Sequence, residues 1–289
     1  MTLRHRVAHG GTQWLKAAFA QSSPVLVRFL LIVALAGVGS ACALRQKSLA
    51  QHLDALLPVD VLLVGEQHDA PEHQQLHLAI VHDLGRRGQL AALAIEMASQ
   101  GKSTSGLSAH ATSEDVQSAL QWNDNAWAWQ TYGPVVMAAV RLGVPVLGAN
   151  LPRNAMRPAM ANAALDRLLG PQALQRQHDD IRSGHCDLLP ESQIAPMARI
   201  QIARDASMAS TVVDARRAGK VVLLLAGAAH VRRAQGVPIH LPAGLSSGVL
   251  IAVAGRAEPT LAAQADLVWE TAALPPKDYC AGLKRELKP

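Results

Sequence analysis

Two short units of the same form, Gly65-Glu66-Gln67-His68 and Gly227-Ala228-Ala229-His230, each close a run of apolar residues. Glycine at such a place lets the backbone turn sharply, and the histidine three places on can then meet a ligand. Imidazole binds transition metals, and a carboxylate such as Glu66 can bind a metal itself or orient a neighbouring histidine. Glu96 ends a further apolar run, and Asn150 and Arg153 follow another in GANLPR. Acids, imidazoles and a guanidinium therefore stand at the ends of four separated segments. A lone histidine after a strand is most often a surface or capping residue, but four such ends together mark a site.

Some of these residues also have plainer readings. Asp69, just before Pro71, would cap the next helix. Glu96 would pair with Arg153. His73, His77 and His82 follow within one helical stretch, and His73 and His77 are four apart, a spacing that can grip a metal. With no glutamate between them they match no zinc protease and are read as one exposed helical face.

The polar ends need a sheet to carry them. Val59–Gly65, Leu90–Met97, Val144–Ala149, Val221–Ala226 and Val249–Ala254 are near-continuous apolar runs, as strands buried on both faces should be, and Leu267–Trp269 is a weaker sixth. Leu76, Ile80 and Leu84 recur at helical spacing within Pro71–Arg87, where the proline suits a first turn. Pro134–Leu142 leads as a helix into the third run. Alternating strand and helix predicts an α/β fold, Rossmann-like, with a mostly parallel sheet and helices on both faces. In such sheets ligands bind beyond the carboxyl ends of the strands, where the polar residues stand. Two stretches are too long for simple crossovers, about 100–132 and 152–220, and are read as a helical cap over one sheet edge. Ser192–Arg217 is the longest helix expected, with Pro196 in its first turns or splitting it. The tail from Pro275 reads as a loop.

The formal net charge of +5 invites a nucleic-acid partner. However, Arg4, Arg6, Lys16 and Arg28 lie in the first 41 residues without a single acid, and beyond them basic and acidic residues nearly balance. No Lys/Arg run and no RNA-binding aromatic motif occurs, so nucleic acid is excluded. Basic residues, the apolar run Phe29–Val38 and then Gly39, Ser40 and Ala41 before Cys42 follow the order of a secretory signal of the lipoprotein type. Residues 1–41 are accordingly expected to be a signal peptide, Cys42 the site of lipidation, and 42–289 a single domain, exported and tethered to the cell envelope, facing the periplasm or the cell surface. Cys186 and Cys280 are left to pair or stay free in an oxidising compartment. No Gly-x-Ser-x-Gly, Gly-x-Gly-x-x-Gly or Walker loop appears, which argues against a serine hydrolase and a nucleotide cofactor.

VGEQHDAPEHQQLH, LAIEM, WNDNAWAWQTYGPVV, GVPVLGANLPR, GHCDLLPE, QIARDASMA and LAGAAHVRRAQGVPIHL follow one another from Val61 to Leu241. In this order they resemble the blocks of the ChaN-like haem-binding family, within the wider Tiki/TraB-type group marked by paired Gly-x-x-His units. The resemblance implies a Rossmann-like core with helical additions, haem as the cofactor, and haem or iron capture, uptake or storage at the envelope rather than catalysis. It also implies a homodimer joined through haem; an outer-membrane haem receptor is a further expected partner. The last block often carries Asn where this chain has Ala228, a departure that removes one means of orienting His230.

With haem in view, Trp122 and Trp129, seven apart, would share a helical face near Tyr132, either packing the cap or offering a flat platform to a porphyrin. A tyrosine phenolate is a known iron ligand type, and Met208 is a second candidate, although a helical methionine is more often core. Arg153 suits a propionate. Gln201 and Asp205 lie four apart in an apolar helix and need partners. With His185 they line the pocket or, by a slight preference, tie the cap to the sheet edge. The expected haem-binding residues are thus His230, Tyr132, His68, Glu66, Glu96, Arg153, His185 and Trp129. The alternative is a metal-dependent hydrolase holding a divalent transition metal with Glu66, His68 and His230, and Glu96 as general base.

Overall fold

The computed structural model describes residues 48–286. The leader read over residues 1–41 and the lipidation read at Cys42 lie outside them. In chain order the principal elements are α1 Leu49–Leu56, β1 Val61–Glu66, α2 Pro71–Arg86, β2 Leu90–Ser99, α3 Ser113–Leu120, α4 Trp129–Arg141, β3 Val146–Asn150, α5 Arg153–Ala161, α6 Pro171–Gly184, α7 Glu191–Asp214, β4 Val221–Gly227, α8 Ala228–Val231, β5 Ser247–Ala254, α9 Pro259–Ala262, β6 Leu267–Thr271 and α10 Tyr279–Glu286.

The six strands form one sheet in the order β3-β2-β4-β1-β5-β6, and every pairing is parallel. Strand residues alternate between two cores, as the two-residue period of a strand requires. Leu62, Val64, Leu93, Ile95, Leu223 and Leu225 face α2 and α4. Val61, Leu63, Ala92, Ala94, Val222 and Leu224 face Met208, Ala209 and Val212 of α7. Met208 is fully buried there, so it is a core residue and not a ligand. The fold is the Rossmann-like α/β architecture expected, with helices on both faces.

The chain enters at β1, moves outward to β2 and β3, and returns with β4 between β2 and β1. This return brings the carboxyl ends of β2, β4 and β1 side by side, with Glu66 in register with Gly227.

Several expectations are corrected. The helix before β3 starts at Trp129, not Pro134, because the proline is accommodated in its second turn, where the Gln130 carbonyl that loses its partner is exposed. Likewise Pro196 lies inside α7 without splitting it. Within residues 100–132 helix forms only in α3 and at the start of α4. Lys102–Thr104 instead runs along the outer strand, with Gly148 N–H donating to the Lys102 carbonyl at 2.8 Å and Thr104 N–H to the Val146 carbonyl at 2.9 Å. That pairing covers an edge that would otherwise expose unpaired backbone groups. The tail is not a loop throughout: α10 forms, anchored by a Cys186–Cys280 disulfide.

Candidate functional site

β1 and β4 end with the two Gly-x-x-His units, and these units pack on each other. A Cβ added at Gly65 would stand 2.4 Å from Val231 Cγ2 and 2.9 Å from Ala228 Cα. One added at Gly227 would stand 2.8 Å from His68 Nε2. Neither glycine has a positive φ. They serve close approach between the two units, not the sharp turn the sequence suggested.

Glu66, at the end of β1, is buried and carries three hydrogen bonds. Its Oε1 accepts from the Tyr132 hydroxyl at 2.7 Å and lies 2.8 Å from His68 Nδ1, while its Oε2 accepts from Gln74 Nε2 at 2.9 Å. Burial alone would raise this carboxyl, but the bond from His68, the proximity of His77 and the bond from Tyr132 outweigh it and hold it below the usual carboxylate range. Gln74 also donates to the His68 carbonyl at 3.2 Å, so one amide fixes both the acid and the loop that carries the imidazole.

His68 leaves 39% of its side chain exposed. Its ring meets the Trp127 indole edge-on, with centroids 4.8 Å apart. The Nδ1 is committed to Glu66; the Nε2 has Glu96 Oε2 at 3.8 Å, beyond hydrogen-bond reach. Desolvation would lower the His68 pKa, but Glu66 and Glu96 together raise it above the ordinary value.

The second unit repeats this arrangement in a buried setting. His230 Nδ1 lies 2.6 Å from Asp205 Oδ1 on α7, and His230 Nε2 is 3.6 Å from Glu96 Oε1. Burial pulls the imidazole down, yet the Glu96 and Asp205 carboxylates raise it to about 9; burial in turn pushes Asp205 up to about 6. At neutral pH the two form an ion pair. The orientation that Ala228 cannot supply thus comes from Asp205. Glu96 stands between the two imidazoles, fixed by the Gly227 N–H donating to its Oε2 at 2.7 Å. It does not pair with Arg153.

On the far side of His230 lies a cavity of about 230 Å³, lined in part by His185, Gln201, Asp205 and Gln177. Asp205 therefore does both things considered for it: it lines a pocket and ties α7 to the end of β4.

Arg153 is exposed at the first residue of α5, and among the described residues it makes no ion pair. Trp122 and Trp129 meet edge-on at 4.9 Å, but not as neighbours on one helix: Trp122 lies beyond α3 and Trp129 opens α4. The indole against His68 is that of Trp127, which sequence reasoning passed over because three tryptophans in one block offer no period to choose by. Gln74 was missed too, being one polar residue among many on α2.

Tyr132 is buried, with its hydroxyl committed to Glu66; desolvation and the Glu66 charge raise its pKa, disfavouring a phenolate. His73 and His77 are fully buried, not an exposed face. The Gln67 N–H donates to His73 Nδ1 at 3.0 Å, and burial holds His77 neutral, down to about 4. Asp69 does not cap α2, whose N-cap is Ala70; it accepts a bond from Tyr279. Among the described residues no three His, Cys, Asp or Glu side chains gather to hold one metal ion, so Glu66, His68 and His230 are not brought to one point.

Residues 52–241, well over half of the chain, match the family described as haem-binding uptake, Tiki superfamily, ChaN. A solved structure described as cofacial heme binding to ChaN of Campylobacter jejuni is similar at a TM-score of 0.63 and 24% identity, covering 78% of this chain and 92% of that one. At that identity the likeness establishes the fold. No curated protein matches.

Proposed function

We propose, from the premise that this chain belongs to the haem-binding uptake family of the Tiki superfamily typified by ChaN, that the carboxyl edge of its central strands binds haem. One observation carries this reading: His68 is exposed beside Trp127 with its Nδ1 bound to a buried carboxylate and its Nε2 uncommitted. A histidine that ligates a metal typically donates its other ring N–H to a carboxylate, which fixes the tautomer and sharpens the basicity of the free nitrogen. The residues present therefore suit an iron porphyrin. His68 would ligate the iron, Trp127 would form an apolar wall, and exposed Arg153 would meet a propionate. When bound, haem would supply an iron centre open to ligation by an imidazole.

The rest of the arrangement is built to hold, not to react. Glu66 keeps His68 in one tautomer. Tyr132 and Gln74 keep Glu66 in place, and Glu96 is fixed by a backbone N–H. This favours capture, uptake or storage over catalysis, and haem over the hydrolase alternative, for which no metal set gathers among the described residues. In this reading the chain is exported, tethered through a lipid on Cys42, and acts with a second copy and an outer-membrane haem receptor. The basic, apolar and small-residue order of the leader supports the first two of these.

Titration of the purified chain with haem, followed by absorbance, tests the reading. We expect a saturable Soret shift that His68→Ala loses. Stoichiometric binding by His68→Ala at unchanged affinity would overturn His68 as the ligand, and no shift in the unaltered chain would overturn haem as the cofactor.

A further inference from the structure

Beyond the residues matched by the family, the C-terminal segment returns to both rims of the site. Leaving β6, Thr271 Oγ1 lies 3.1 Å from His73 Nε2, and the Ala272 N–H donates to Glu72 at 3.0 Å, at the start of α2. Farther on, the Tyr279 hydroxyl donates to Asp69, the residue after His68, and Lys277 stands 3.7 Å from the same carboxylate and 4.7 Å from the Tyr279 ring centre. The next residue, Cys280, is bonded to Cys186, which follows His185 in the loop between α6 and α7. One segment therefore joins the loop carrying His68 to the loop carrying His185, and the bridge that fixes it links cysteines 94 residues apart in sequence.

The contacts at Asp69 are exposed, and exposed ion pairs hold a segment only weakly. The covalent link is of another order, because it persists when the polar contacts open. Cys186 and Asp187 also have positive φ, at 59° and 56°, a left-handed conformation uncommon outside glycine, although aspartate adopts it more readily than most residues.

We propose that the segment 272–284 is a strap whose disulfide positions the His68 and His185 loops, so that its reduction by a dithiol loosens both rims of the site. In the reduction the S–S bond takes two electrons and two protons from the dithiol, giving two cysteine thiols and a cyclic disulfide. That the loosening alters haem release rests on the haem reading given above; the loosening itself does not.

The test is amide hydrogen exchange on the full chain, oxidised, treated with dithiothreitol, and as Cys280→Ser, together with haem release in the same three states. Exchange over 67–70 and 183–188 should quicken about tenfold in the two bridge-free states, and haem should leave severalfold faster. Tyr279→Phe, which keeps the bridge, should quicken 67–70 alone. Unchanged exchange at both loops after thiol alkylation confirms reduction would overturn the strap; quickened exchange with equal haem release in all three states would overturn its effect on haem. A chain that never shows a Soret shift would overturn the haem reading, while the exchange result still decides the strap.

Discussion

The Nδ1 of His230 stands 2.6 Å from the Oδ1 of Asp205, with both side chains buried. The pair crosses from the end of β4 to the middle of α7, so it joins the central sheet to the helix covering one face. His68 and Glu66 make the corresponding pair at the end of β1, but there the imidazole is exposed. The same device thus appears twice, once where it can meet a ligand and once where it locks a helix.

Removing Asp205 leaves the buried His230 imidazolium with only Glu96, 3.6 Å away, to offset its charge. Asp205→Asn should therefore destabilise the chain by about 3 kcal/mol, read as a lower midpoint in urea with an unchanged slope. A loss under about 1 kcal/mol would mean that the pair is solvated in solution.

The same pair sets a pH dependence. His230 is raised from 6.5 to about 9 in the folded chain, so the proton it holds favours folding fully below pH 6.5 and progressively less as pH rises through 9. Stability should fall across that window by about 3 kcal/mol, and His230→Gln should flatten the fall. Melting temperatures from pH 6 to 10 measure it. A wild-type profile as flat as the variant's would show that His230 keeps an ordinary pKa.

The strands were legible because their apolar runs are buried along most of their length, β1 and β4 throughout, and a doubly buried strand carries no other signal. The polar ends were legible for a related reason: Glu66, His68, Glu96 and His230 interrupt those runs where the sheet stops. What the sequence hides is which of two layers a polar residue occupies. His73 and His77 share the helical face of Leu76, Ile80 and Leu84, so spacing points them inward and only the polarity of imidazole suggested an exposed face. Tyr132 and Trp127 sit five residues apart in one aromatic block, yet one is committed to Glu66 and the other to His68. That choice depends on the start of α4 at Trp129, displaced from the position that Pro134 suggested.

Gly227 and Gly236, both packed against a histidine of the site, should respond differently to an added methyl. At Gly227 an added methyl would meet the end of the His68 ring at 2.8 Å and Glu96 Oε2 at 3.5 Å, with a φ of −58° that any residue adopts. Gly227→Ala should leave the fold within about 1 kcal/mol of wild type while displacing His68 and weakening haem binding about tenfold. At Gly236 the methyl would meet the His230 carbonyl oxygen at 2.2 Å, backbone that cannot rotate away. Gly236→Ala should cost about 3 kcal/mol. Equal haem affinity in Gly227→Ala and wild type would show that the His68 ring has room to move without loss of function.

Tyr132→Phe separates the two roles open to that residue. The side chain is buried and its hydroxyl donates to Glu66 at 2.7 Å, so the substitution removes one of the three hydrogen bonds on that carboxylate and little volume. If Tyr132 acts through Glu66, the variant should lose about 1 kcal/mol of stability. It should keep the Soret maximum of the wild-type complex and bind haem within about tenfold of it, because the axial imidazole is still held by Glu66. If Tyr132 is itself the iron ligand, the Soret maximum must move and affinity must collapse, as a phenolate bond is then lost outright. The absorbance spectrum of the haem-loaded variant distinguishes the two. A spectral change on Tyr132→Phe with none on His68→Ala would reassign the axial position to the phenol and require Tyr132 to leave Glu66 when haem binds.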